Sequence, residues 1–357
     1  MKRISLTAKL LFISLFISLT INAQEQKVKN IILLIGDGMG IAQVYAGMVS
    51  SPAPLNIERM KTVGFSKTYS ANDFTTDSSA GGTALACGVK TNNGMVGMSP
   101  DTVAVNSIMQ IAKNNDLATG LVVSCNVTHA TPASFVAHQP SRSMTEAIAA
   151  DYLKSGIDVF IGGGRNDFEK RKDGRNLSEE LRSKDYTVVH TLEAMNRVQS
   201  GKMAALLADN HPGKAAERDN LLVKGVYKSL ELLSKNEKGF FLMVEGSQID
   251  WAGHVNQSDY VVNEVLDFDK AVGVALDFAD RNPGTLVVVV ADHETGGLTL
   301  PKGDIAKRTF KAKFSTLKHT GVPVPIYSYG TGSEIFGGFM QNTGVFDRML
   351  QSYGFGK

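Results

Sequence analysis

Short, unbroken apolar runs recur along the chain, separated by longer stretches whose apolar residues return every three or four positions. The runs at 30–35 (N-I-I-L-L-I), 239–244 (G-F-F-L-M-V) and 285–291 (T-L-V-V-V-V-A) lack polar alternation. That pattern predicts strands buried on both faces, as in a parallel sheet covered by helices. Further strands are expected at 63–70, 119–124, 157–161 and 324–329. Amphipathic helices are expected at 103–114 (Ile108, Ile111 and Ala112 share a face), 144–154, 218–235, 261–279 and 345–353. The alternation of the two periods predicts an α/β fold: a doubly wound, mainly parallel central sheet with helices on both faces. No repeat or low-complexity block interrupts it. Residues 165–215 are polar and irregular, and are expected to carry short elements away from the chemistry, with His190 and His211 as surface histidines. The basic stretch 302–318 reads as a surface loop or cap.

The residues just beyond these apolar runs change the picture. The first runs into Gly36-Asp37-Gly38-Met39-Gly40, and the one at 119–124 leads to His129-Ala130-Thr131-Pro132. The run at 239–244 ends in Glu245, with Asp250 and His254 beyond, and that at 285–291 ends in Asp292-His293. His319 adds an imidazole from a loop. Ligands of open α/β sheets bind at the carboxyl ends of the strands. Carboxylates and imidazoles placed beside buried strands must be paired or metal-bound, because unpaired burial is costly. Asp250 and His254, four apart, suit one face of a helical turn. Imidazole with carboxylate suits zinc in a site with an open position, and carboxylate with hydroxyl and water suits magnesium. A second feature is Thr76-Asp77-Ser78-Ser79-Ala80-Gly81-Gly82-Thr83, small residues between an extended segment and an apolar one. It predicts a serine hydroxyl at a helix N-terminus, where free N–H groups favour anions. Alone, it reads as well as an ordinary N-cap.

Composition bounds the rest. With 357 residues and 43% hydrophobic content, the chain can support a large core. Lys2, Arg3 and Lys9 flank an apolar run at 10–19, and Ile21-Asn22-Ala23 reads as a cleavage site. Residues 1–23 are therefore expected to be a signal peptide, the run being short for a membrane span. Residues 24–357 are read as a single catalytic domain with a small cap or loop region around 298–320. A secreted or periplasmic location is expected, with no stable membrane insertion after cleavage. Losing those three cations takes the formal net charge from +2 to −1, which leaves no argument for nucleic-acid binding. Cys87 and Cys125 either pair or remain two buried thiols; their surroundings do not decide.

In order, the segments G-D-G-M-G (36–40), T-D-S-S-A-G-G-T-A-L-A-C-G-V-K-T-N-N-G (76–94), H-A-T-P-A (129–133), V-E-G-S-Q-I-D-W-A-G-H (244–254), A-D-H-E-T-G-G (291–297) and H-T-G (319–321) resemble the alkaline phosphatases from about residue 30 to about residue 337. The resemblance implies hydrolysis of phosphate monoesters through a phosphoserine, with broad substrate range and an alkaline optimum. It places Ser78 as nucleophile, Arg142 (four residues after His138, read as structural) on the phosphate, and Asp77 behind that arginine. It implies two Zn2+ and one Mg2+: Asp250, His254 and His319 around the first zinc, Asp37, Asp292 and His293 with Ser78 around the second, and Asp37, Thr131 and Glu245 around the magnesium. Three departures stand out. His129 occupies a position where some bacterial members have aspartate, so a different third divalent metal is left open. Trp251 stands where some members hold lysine. The short chain leaves a homodimer open. The alternatives are a phosphodiesterase or sulfuryl hydrolase of the same superfamily, or a secreted zinc- or phosphate-binding protein without turnover.

Overall fold

A computed structural model describes residues 27–356. The expected signal peptide at 1–23 lies outside the described residues. Among those described, no helix is long and apolar enough to cross a membrane.

In chain order the strands are β1 (Asn30–Gly36), β2 (Thr62–Lys67), β3 (Ala118–Asn126), β4 (Val159–Gly163), β5 (Tyr186–Val189), β6 (Lys202–Leu206), β7 (Phe240–Gly246), β8 (Thr285–Val290), β9 (Glu294–Thr295), β10 (Thr299–Asp304), β11 (Thr309–Lys313), β12 (His319–Thr320), β13 (Val324–Gly330) and β14 (Gly338–Gln341). Ten of them form one sheet in the order β14-β2-β13-β8-β1-β7-β3-β4-β6-β5. Within it only β13 is antiparallel to its neighbours β8 and β2. β1 lies at the centre, with Ile32 opposite Leu242 of β7 on one side and Val287 of β8 on the other.

The absence of polar alternation in β1 has the expected cause. Ile31, Leu33 and Ile35 enter one core, while Ile32 and Leu34 enter the other. The first core is closed by the helices Ser78–Cys87, Ile108–Asn114, Ala130–Val136, Thr145–Ser155 and Thr343–Tyr353, the second by Ile41–Ser50, Leu221–Leu233 and Ser258–Arg281.

Two expectations need correction. The helix expected from residue 103 starts at Ile108, because Ser107 Oγ accepts from the Gln110 N–H (3.2 Å) while Gln110 Oε1 accepts from the Ser107 N–H (2.8 Å). That reciprocal cap stops the helix from extending backwards. Residues 165–215 carry short elements, as expected: β5 and β6 extend the sheet, and three short helices accompany them. The basic stretch after residue 298 is a hairpin of β10 and β11. Cys87 and Cys125 are both buried free thiols.

The helix Ser258–Arg281 is fastened by a buried ion triad. Arg218 reaches Glu264 at 2.5 Å and Asp267 at 2.6 Å, its side chain being 1% exposed. Arg218→Met would leave two buried carboxylates without a counter-charge. A loss of about 3–5 kcal/mol is expected by urea denaturation of the purified protein; unchanged stability would show that the triad contributes nothing.

Candidate active site

Four adjacent strands, β8, β1, β7 and β3, deliver their carboxyl ends to one place. β1 delivers Asp37, which is fully buried and whose two carboxylate oxygens find no hydrogen-bond partner. The turn after it requires glycine: Gly38 has φ +72°, and a Cβ there would meet the Asp250 Cα at 2.7 Å. β8 delivers Asp292 and His293; Asp292 Oδ1 accepts from the N–H groups of Gly38 (3.3 Å) and His293 (3.0 Å), while Oδ2 is left unpaired. β7 contributes Glu245, and the helix Gln248–His254 after it carries Asp250 and His254. His319 arrives through the pairing of β12 with β9.

The hydrogen bonds of three imidazoles define what belongs between them. His254 Nδ1 is 2.7 Å from the Leu317 carbonyl, and His319 Nδ1 is 2.9 Å from the Thr76 carbonyl, so both Nδ1 atoms carry the proton and donate. Thr295 Oγ1 donates to Asp250 at 2.5 Å and is left to accept from His293 Nδ1 at 3.2 Å. In neutral rings every Nε2 is then a lone pair. Those lone pairs face other acceptors. His254 and His319 Nε2 are 3.2 Å apart, and each lies within 3.4 Å of an Asp250 oxygen. His293 Nε2 lies 3.4 Å from Asp37 Oδ1 and 3.3 Å from Asp292 Oδ2. Acceptors converging on acceptors require cations between them. Two nitrogens about 2.05 Å from one tetrahedral ion would stand about 3.3 Å apart, close to what is seen. The donor atoms fall into the groups Asp250/His254/His319, Asp37/Asp250/His293 and Cys125/His129/Glu245, each mutually within 4.8 Å. The second differs from the set expected around Asp37 in grouping Asp250 with Asp37 and His293, while Asp292 Oδ2 still lies 3.3 Å from His293 Nε2.

Ser78 opens the helix Ser78–Cys87 and places its Oγ 3.2 Å from His293 Nε2. Asp77, the N-cap, accepts from the Ala80 N–H at 2.9 Å with one oxygen. The other accepts from Ser79 Oγ (2.6 Å), the Gly94 N–H (2.9 Å) and the Arg142 guanidinium (3.3 Å). Arg142 is thereby held at the mouth, its second terminal nitrogen 3.4 Å from His129 Nε2. His138 turns inward, with Nδ1 2.6 Å from the Gly97 carbonyl and Nε2 2.8 Å from Gln110. All twelve residues singled out from the sequence lie in or around this one place.

The alkaline phosphatase family profile matches residues 28–313. Alkaline phosphatase 4 of Bacillus subtilis is 33% identical across 89% of this chain and 87% of its own. The chain belongs to the alkaline phosphatase family. The solved alkaline phosphatase of the Antarctic bacterium TAB5 is 39% identical, superposes with a TM-score of 0.89, and is covered over its whole length by 93% of this chain. A histidine-to-aspartate variant of that enzyme, 38% identical and with a TM-score of 0.88 over 94% of this chain and all of its own, carries Mg in its M3 site. The protein is a hydrolase of phosphate monoesters, and its donor clusters fit the divalent-metal dependence of the family.

Four further residues of this phosphatase site escaped the sequence. Ser79 holds Asp77, and Thr295 orients both His293 and Asp250. His211 is exposed, as expected, but not remote: its ring lies 4.7 Å from Trp251 and 5.6 Å from His129, edge-on to both, and its Nδ1 accepts from the Asn126 N–H. Cys125 belongs to the third donor group. Ser79 and Thr295 had a signal in their place inside matched motifs; His211 had none.

Without its cations the phosphatase site is over-supplied with buried carboxylates. Burial, then Asp292, Asp250 and Glu245, raise Asp37 well above the ordinary range. Burial chiefly pushes Glu245 and Asp292 up to about 7. The Asp250 carboxylate draws His254 up to about 9. Burial drives His129 down to about 3 and His293 well below its usual value. A group raised in the folded state stabilises below its unfolded pKa and loses that contribution as pH rises through the folded one. The two lowered histidines act the other way, but only below about 6.5, where unfolded imidazole titrates. From about pH 6.5 to 9 only the raised groups of this site act, opposed above about 8 by Lys90, which burial lowers to about that value. The chelated phosphatase is therefore expected to lose melting temperature steadily across that window, and the metal-replete enzyme to lose less. A flat profile for the chelated protein, by thermal denaturation, would contradict this electrostatic account.

Proposed function

We propose that the phosphatase acts through a phosphoserine on Ser78, with Arg142 gripping the phosphoryl group. The observation that supports this most is the convergence of three Nε2 lone pairs, three aspartates and the Ser78 hydroxyl. Asp250, His254 and His319 would hold one zinc, and Asp37, Asp292 and His293, with Ser78, a second. Asp37, Thr131 and Glu245, with His129 beside them, would hold the third ion, magnesium or another divalent metal; the unpartnered Glu245 Oε1, Thr131 Oγ1 and His129 Nδ1 favour this. When bound, such ions lower the pKa of a coordinated hydroxyl and neutralise charge on a leaving oxygen.

Ser78 Oγ attacks phosphorus, a P–O bond to serine forms, and the ester P–O bond breaks to release the alcohol. Water then attacks the phosphoserine from the side the alcohol left, yielding phosphate and free Ser78. Arg142 presents a planar fork to two phosphoryl oxygens, a geometry that lysine cannot reproduce. Asp77 keeps that fork in place. Because these contacts all go to the phosphoryl group, a broad range of monoesters is expected, and the family resemblance implies an alkaline optimum. Secretion or a periplasmic location rests on residues 1–23.

Ser78→Ala is expected to lower turnover by several orders of magnitude while metal content, by elemental analysis, stays the same. Undiminished activity would refute the nucleophile. Arg142→Lys keeps the charge but loses one charge-assisted hydrogen bond, about 1.5–3 kcal/mol, so kcat/KM should fall by roughly tenfold to a hundredfold. Rates on matched phosphate monoester, diester and sulfate ester substrates test the class; a faster diester or sulfate rate would favour another hydrolase of the superfamily.

A further inference from the structure

The third donor group contains a thiol that lies outside the matched motifs and to which the reading above gives no role. Cys125 is the penultimate residue of β3, fully buried, on the strand beside the one that carries Glu245. Its Sγ lies 3.5 Å from Glu245 Oε2, and the ligand atoms of Cys125, His129 and Glu245 are all within 4.8 Å of one another. The same spot holds unpartnered buried atoms: Glu245 Oε1, His129 Nδ1 and Thr131 Oγ1. Sulfur at about 2.3 Å and oxygen at about 2.1 Å from one tetrahedral ion stand about 3.6 Å apart, within a tenth of an ångström or so of the separation seen.

We propose that Cys125 is itself a ligand of the third ion, making this a thiolate–imidazole–carboxylate centre that takes zinc or cobalt in preference to magnesium. The inference rests on the metal-dependent reading above and deepens it. A soft sulfur in a site otherwise made of imidazole and carboxylate moves its preference away from hard, oxygen-seeking magnesium. On binding, the Sγ–metal bond forms and the thiol proton leaves to solvent; nothing is oxidised or reduced. A purely structural cysteine would spend its one proton on the Asn126 carbonyl, 3.2 Å away, or on Glu245; a ligand gives that proton up and turns the sulfur to the ion that the unpartnered Glu245 and His129 atoms already call for. Cys87 provides the contrast. It is equally buried, but its Sγ rests against the Val105 and Ser134 carbonyls at 3.7 Å, and it belongs to none of the donor groups among the described residues.

The test is an anaerobic titration of the metal-free full-length protein with cobalt(II), monitored in the visible and near-ultraviolet. A thiolate-to-cobalt charge-transfer band is expected in the wild type and in Cys87→Ser, and is expected to be absent in Cys125→Ser. The third equivalent of zinc should bind Cys125→Ser at least about tenfold more weakly, since losing even a group that supports a ligand costs that much. Cobalt d–d bands without charge transfer in the wild type, or charge transfer that survives in Cys125→Ser, would overturn the assignment and leave the metal-dependent reading standing. Failure of cobalt to bind at all would overturn both. Should Cys125→Ser not fold, zinc-edge X-ray absorption on the wild type decides: a sulfur neighbour at about 2.3 Å supports the ligand, and its absence overturns it.

Discussion

The constraint on which this molecule turns is charge without a partner. Three imidazole lone pairs and the oxygens of Asp37, Asp250 and Asp292 are aimed at one another at 3.2–3.4 Å. In a low-dielectric interior such an arrangement is unfavourable by itself and favourable with cations in it. The surrounding fold exists to keep it from relaxing. Carbonyls of Leu317 and Thr76 fix two ring tautomers, the Thr295 hydroxyl fixes the third, and the Gly38 turn brings its backbone against Asp250. Such supports orient the donors and raise their basicity. The neighbouring nucleophile is held by a separate device, the Asp77 cap, which serves helix, arginine and loop at once.

Legibility in the chain tracks burial. β1, β7 and β8 are enclosed on both faces, so their composition had no freedom and their pattern was plain. Asp37, Glu245, Asp292 and His293 were visible for the same reason: each is a polar residue placed where an apolar run ends. β5 and β6, four and five residues long, are too short for a period to register. The helix at Ile108 was overextended because apolar spacing carried on past a cap that only Ser107 and Gln110 together reveal.

Within the site, legibility fell where function depends on rotation or on distant partners. Ser78 and Ser79 are chemically alike, and only the roughly 100° turn per helical residue sends one hydroxyl toward His293 and the other toward Asp77. Cys125, just past an apolar run, read equally as half of a disulfide or as a buried thiol; its contact with Glu245 is a product of strand order, since β3 lies beside β7 and Glu245 pairs with Val123, two residues before Cys125. His211 comes from a loop between β6 and the helix Leu221–Leu233, and no local pattern could connect it with Trp251.

The strand order has a kinetic side. Asp37, His129, Glu245 and Asp292 come from segments spread over more than two thirds of the chain, yet from strands that are immediate neighbours in the sheet. No pair of sequence-adjacent elements brings together all the donors of the Asp37/Asp250/His293 group. Metals therefore cannot template early folding here, as they do in small zinc domains. The chain must first close long loops and align β1 between β7 and β8, steps that high-separation contacts make slow. Ion capture by the Asp37/Asp250/His293 and Asp250/His254/His319 groups becomes a late event of assembly, a seal on a finished sheet, because each needs a histidine that lies beyond β8.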